Sequence, residues 1–147
     1  MPDVLTRLVE MAKAAPELDG VTVRDGPALR QDTDLRVLYI GWGGGTEDTD
    51  VDVQIGENDL AGSPSRETAT IRCTAWAMTG DTDIPAARGL AYAIVSGLGA
   101  AIDRDRRLGG TVMRAMIGNH TLTQQQTGRG AQAAIGFDVL TDGFTGR

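Results

Sequence analysis

One cysteine, one histidine, two tryptophans, two tyrosines and two phenylalanines are all the chemically distinctive side chains that 147 residues supply. The lone Cys73 excludes an internal disulfide, and within an alternating stretch it reads as a small buried hydrophobe. His120 sits in a polar stretch far from Cys73, so no clustered ligand set for zinc exists. Thr121 and Thr123 beside it are too generic to serve as nucleophiles, and no Ser/Thr–base pair can be nominated. No apolar run reaches the roughly 18 residues of a membrane span. The N-terminal MPDVLTRLVEMAKAAPEL carries Asp3 and Glu10 among its apolar residues and lacks the long apolar region of a secretory signal.

A dense basic surface is also missing. The formal charge is −6, with thirteen acids and five bases in residues 1–60 against seven acids and nine bases in residues 61–147. A protein gripping duplex DNA shows the reverse. Acidic surface beside nucleic acid instead repels phosphates and keeps a passage slippery.

What is present fits one domain over residues 1–147. Its organising stretch is a long helix over Ile84–Asp103. Ala87, Leu90, Ala91, Ile94, Leu98, Ala101 and Ile102 recur at the 3.6-residue period of a helix packed on a core. Asp81, Thr82 and Asp83 offer caps, Pro85 suits the first turn, and Gly109-Gly110 ends the run. Ala86, Gly89, Ala93, Ser96, Gly97 and Ala100 form a second line of small residues. Each helix-interior glycine costs about 1 kcal/mol, which close approach by another backbone would explain. That backbone would belong to a second subunit; the alternative is that the face merely meets water or this chain's own first helix.

Asp3 can cap a first helix running to about Ala15, closed by Pro16. Strands are expected at Val21–Arg24 and Leu35–Ile40, with a short edge strand carrying Val51, Val53 and Ile55. The clearest strand is Arg66–Trp76, where Ala69, Ile71, Cys73 and Ala75 alternate with threonines, Arg72 and Trp76. Further strands are expected at Thr111–Ile117 and Ala131–Leu140. Loops are expected at Gly43–Gly45 and Gly62–Ser65. Gly118–Gly130 reads as a long hairpin loop or a mobile arm, and the chain after Thr141 as a frayed tail. The order predicts an α+β two-layer sandwich, a mainly antiparallel sheet packed against the long helix and the short N-terminal one. The connection over the long helix admits a parallel crossover.

Asp48, Asp50 and Asp52 invite a calcium-loop reading. Counting from Asp48, the required glycine at position 6 is Val53 and the glutamate at 12 is Asp59, so a solvated acidic rim is the default. The glycines around Trp42 match no phosphate-cradling pattern. No enzyme class, cofactor or metal is predicted.

The order of elements, with VTVRDGP, ETATIRCTAWA, IPAARGLAYAIVSGLGAAI, LGGTVMRAMIG and AAIGFDVL, resembles the tail terminator proteins of long-tailed bacteriophages. The glycine and alanine content looks like phages of actinobacterial hosts. The resemblance implies a homo-oligomeric ring, a hexamer, that caps the tail tube, stops its polymerisation and offers the joining surface for the head or neck. DNA would pass through the ring without sequence-specific binding. The location would be the virion, at the head–tail junction, after synthesis in the host cytoplasm, with no membrane partner. A head-to-tail connector or neck ring is the alternative. On this reading the interface candidates are Trp42, Gly43, Gly44, Gly45, Gly89, Ala93, Gly97, His120, Gln124, Gln125, Gln126 and Arg129. Glu47, Asp48, Asp50 and Asp52 are candidates for the channel wall.

Overall fold

Alternation sets the centre of the sheet. In β4, Arg66–Met78, Ala69, Ile71, Cys73, Ala75 and Ala77 are buried on one face, while Thr68, Thr70, Arg72 and Trp76 on the other keep contact with solvent. The computed structural model describes residues 1–27, 34–44, 50–56 and 65–144. Gly45, Glu47 and Asp48, and all but Ser65 of the loop expected at 62–65, lie outside the described residues.

One side of β4 pairs along its whole length with β6, Gly130–Phe144, antiparallel from Arg66↔Phe144 to Met78↔Gln132. Its other side is shared by two antiparallel strands. β2, Arg36–Ile40, covers residues 73–77, and β3, Val51–Gly56, covers residues 66–71. Where these two strands meet along β4, the Arg72 backbone bonds to the residues that follow β2 and precede β3. The Gly41 and Trp42 N–H groups both donate to the Arg72 carbonyl, at 2.8 and 2.9 Å, and the Arg72 N–H donates to the Asp50 carbonyl at 2.9 Å. Gly41, Trp42 and Asp50 are therefore all anchored to the backbone of Arg72. β1, Thr22–Asp25, adds in parallel outside β2, and β5, Arg114–Thr127, pairs antiparallel with β6. The order is β1-β2-β4-β6-β5, with β3 beside β4. This is the expected α+β fold with a mixed, mostly antiparallel sheet.

Both helices lie on the face of Ile71 and Cys73. α1, Pro2–Ala14, buries Val4, Leu8, Val9 and Ala12. Asp3 lies within its first turn and makes no capping bond there, so it favours the helix through its charge near the positive end. α2, Ile84–Arg104, is capped by Asp83, whose carboxylate accepts the Ala86 N–H at 3.0 Å. Ile94, Leu98 and Ile102 are at most 1% exposed, each contributing about 1.5–3 kcal/mol by removal from water. By length and mean hydropathy α2 would suffice to cross a bilayer, yet these large side chains are spent on the sheet.

Two further expectations are corrected. Gly118–Gly130 is neither loop nor arm, because β5 continues to Thr127 and reverses at Gly128–Arg129, with a register shift between Ile117 and His120. The far end of the hairpin is clasped to the turn before α2. The Thr79 N–H donates to Ala131 O at 2.9 Å and the Ala131 N–H to Asp81 O at 2.8 Å. The chain after Thr141 is not frayed as far as Phe144, since Thr141 is buried and Asp142 is ion-paired with Arg66. The parallel crossover that the long helix admitted is present, since β4 and β5 run in the same direction on either side of β6 and are joined through α2.

Candidate functional site

The helices cover one face of the sheet. Among the described residues no helix or strand covers the other, which is built from the even-numbered side chains of β4 and β6 and the odd-numbered ones of β2. Both tryptophans lie on this open face and both remain partly exposed. Trp76 stands opposite Val37, and Trp42 sets its ring edge-on to Tyr39 at 4.9 Å between centroids. Thr74 Oγ1 donates to the Trp42 carbonyl at 3.1 Å and fixes the backbone just beyond β2. Trp42 thus covers part of its own domain while still offering an edge to solvent.

Next to this aromatic corner, Arg72 Nη1 donates to Asp138 Oδ1 at 3.3 Å, with each side chain about a quarter exposed (23% and 26%). A polar hollow of about 250 Å³ opens between Arg72, Asp138, Asn119, Thr121 and Gly43 over the bare Cα of Gly136. Further along, Asp52, Gln54, Thr70, Arg114, Met116 and Leu140 border a second groove of about 320 Å³. At its rim Arg66 Nε donates to Asp142 Oδ1 at 2.9 Å, and that guanidinium holds the Asp142 carboxyl below the usual carboxylate range.

The sequence-derived candidates separate into groups. His120, Gln124 and Gln126 face α2. His120 Nε2 lies 3.3 Å from the Tyr92 hydroxyl with the rings edge-on, Arg88 Nη1 donates to Gln124 Oε1 at 2.9 Å, and Gln126 Nε2 donates to Asp81 O at 3.3 Å. These contacts hold the outer strand against the N-terminal half of α2 within one chain. Gln125 stands across from Gln132 on the open face, and Arg129 is in the exposed turn. Gly97 is covered internally, since a Cβ there would sit 2.8 Å from Leu18 Cδ2 and 3.2 Å from the Glu17 carbonyl. The close approach anticipated for the small-residue line is thus met by the chain's own 3-10 turn at Pro16–Leu18. Gly89 and Ala93 on the same helix remain exposed.

Gly43 and Gly44 follow Trp42 beyond the end of β2. The Gly43 N–H donates to Asp50 Oδ1 at 3.1 Å, so Asp50 holds Gly43 with its side chain and Arg72 with its backbone. Asp52 is exposed on β3, opposite Thr70. Glu47 and Asp48 lie outside the described residues.

Sequence reasoning passed over Tyr39, Tyr92, Arg88 and the Arg72–Asp138 pair. One signal was available for the last. Arg72 stands between Thr70 and Thr74 in the middle of its strand, and a half-buried guanidinium needs a carboxylate near it. Cys73 lies fully buried beneath, where desolvation pushes its thiol up to about 12. Among the described residues no three His, Cys, Asp or Glu side chains converge on a common point that would hold a metal ion. What the surface offers is a broad open sheet face, exposed strand edges and paired charges. No protein-family model matches the chain, and no curated protein does.

Proposed function

We propose that the protein is a structural ring subunit of a bacteriophage tail, a tail terminator that caps the tube, ends its polymerisation and presents the joining surface to the head or neck. The observation that carries this reading is the one-sided sheet. Helices bury one face, while the other carries Trp42, Trp76, Met116 and Leu140 with no covering element among the described residues. Aromatic and methionine side chains on a rigid sheet are what association surfaces use. A six-fold ring places a repeated head-to-tail contact between copies, and DNA would cross its centre. Asp50 and Asp52 supply acid that would keep the passage from holding phosphate.

The test is the mass of the purified full chain by light scattering across a concentration series, followed by electron microscopy of labelled particles. The reading expects six times the 15.5 kDa chain mass and label between tube and head. A ring on the portal side would transfer the reading to a neck or connector protein. A monomer at all concentrations, with no label on the tail, would end it.

A further inference from the structure

We propose that one copy of the chain adds the Arg114–Ile117 segment of its β5 edge to the β3 edge of a second copy, so that the sheet runs on across the contact. The proposal rests on the ring reading in needing a repeating head-to-tail interface, and it names the two surfaces that meet.

Strand direction comes first. β3 runs antiparallel to β4, and β5 lies two antiparallel steps beyond β4 on its other side. β3 and β5 therefore run in opposite directions at opposite ends of the same sheet. A rotation about an axis roughly along the strands brings β5 of one copy beside β3 of the next as an antiparallel ladder, the more stable kind. Among the described residues no strand pairs with the outer edge of either. Backbone N–H and C=O groups on an unguarded edge are a ready template for another strand.

The level also matches. Across the sheet, Asp52, Thr70, Leu140 and Met116 fall in one row, and Gln54, Thr68, Asp142 and Arg114 in the next. A second copy at the same height sets Met116 against Asp52 and Arg114 against Gln54. Arg114 is then one diagonal step from Asp52, within reach of a long side chain. The two edges are complementary in charge, since Asp50–Gly56 holds acids and no base, while Arg114–Ile117 holds a base and no acid. Val53 (37% exposed), Ile55 (63%), Met113 (43%) and Met116 (41%) cluster at these two edges. They make up four of the seven exposed large apolar side chains among the described residues, so apolar exposure concentrates where the contact is placed. Beyond the register shift at Gly118–Asn119, β5 is instead tied to α2 through His120 and Gln124, and to the turn before α2 through Gln126.

Two sets of variants of the full chain test this. Asp52→Arg and Arg114→Asp should each raise the concentration needed for assembly about tenfold or more, by setting like charges across the contact, and the combined variant should restore it. Asp52→Arg is the cleaner single change, because Arg114 also acts on Asp142. In the second set, a short bismaleimide should link Gln54→Cys/Met116→Cys double variants into ladders and leave each single variant unlinked. The buried Cys73 contributes no background. Linking of Met116→Cys alone would mean that two β5 edges face each other, and would overturn the proposal. Single charge variants that assemble as the wild type does would also overturn it while leaving the ring reading intact. A wild type that stays monomeric would overturn both.

Discussion

Arg66 and Asp142 clasp the ends of β4 and β6 across 76 residues of sequence, with Arg66 Nε donating to Asp142 Oδ1 at 2.9 Å and Nη2 to Oδ2. Hydrogen bonding from Arg66 holds the Asp142 carboxyl below its ordinary value. Glu17 is lowered in the same way by Arg104, and Asp81 by the Asp83 N–H and the Thr79 hydroxyl. A carboxyl depressed on folding adds stability that is full above its unfolded pKa and lost as pH falls through the folded one. The thermal midpoint should therefore hold at neutral pH and fall as the solution is acidified below about pH 4. Asp142→Asn should lower the midpoint at pH 7 and make the acid-side fall shallower. A calorimetric pH series checks both, and an unchanged acid slope in the variant would sink the assignment.

Gly130 starts β6 with φ +142°, and a Cβ built there would lie 1.8 Å from the Thr79 carbonyl oxygen. A backbone atom cannot step aside as a flexible side chain can. Gly130→Ala should destabilise the protein by about 3 kcal/mol or more, through strain and loss of the clasp between hairpin and α2 turn. Gly128→Ala, two residues away, meets nothing within 4 Å and should cost less than about 0.5 kcal/mol. Urea denaturation of the pair measures the contrast.

That hairpin also marks where the sequence stops being informative. The inward residues Ala69 to Ala75, and those of Ala131 to Leu140, are apolar at every second position, and α2 repeats at 3.6, so these elements follow from pattern alone. Residues 118–127 are an edge strand on which polar side chains serve both faces. Gln124 bonds to α2 and Gln126 to the turn before it, where apolar residues would have packed, leaving no period to detect. Asp142 and Phe144 extend β6 past the last obvious apolar residue because ladder pairing with β4 and the Arg66 contact hold them, and both depend on distant sequence. The small-residue line on α2 was visible, but its partner Leu18 comes from a 3-10 turn announced only by Pro16.

Cys73 gives a chemical probe of the core. It is 0% exposed, and burial pushes its thiol up to about 12. Thiolate is the reactive form, so labelling by a disulfide reagent at neutral pH should wait on unfolding. The folded protein should react at least about a hundredfold more slowly than the chain in denaturant, and destabilised variants such as Gly130→Ala should react faster in proportion to their open population. Prompt, stoichiometric labelling of the folded wild type would contradict the packing of β4 beneath α2.

Gly89 and Gly97 lie two turns apart on α2, and the same substitution should have opposite effects at the two. Gly97 is buried beneath Leu18 and the Glu17 carbonyl, so Gly97→Ala has to displace the 3-10 turn. The expected loss is about 1–3 kcal/mol, the usual result of overpacking. Gly89 is exposed with nothing within 4 Å of its Cβ position, and there alanine should add about 0.5–1 kcal/mol through helix propensity. This separates fold from assembly on one helix. If the exposed part of the line, Gly89 and Ala93, meets another subunit, Gly89→Leu should weaken self-association while leaving the thermal midpoint of the monomer no lower than the wild type's. Unchanged association of Gly89→Leu by sedimentation would remove these two residues from the interface and leave the strand edges to carry it.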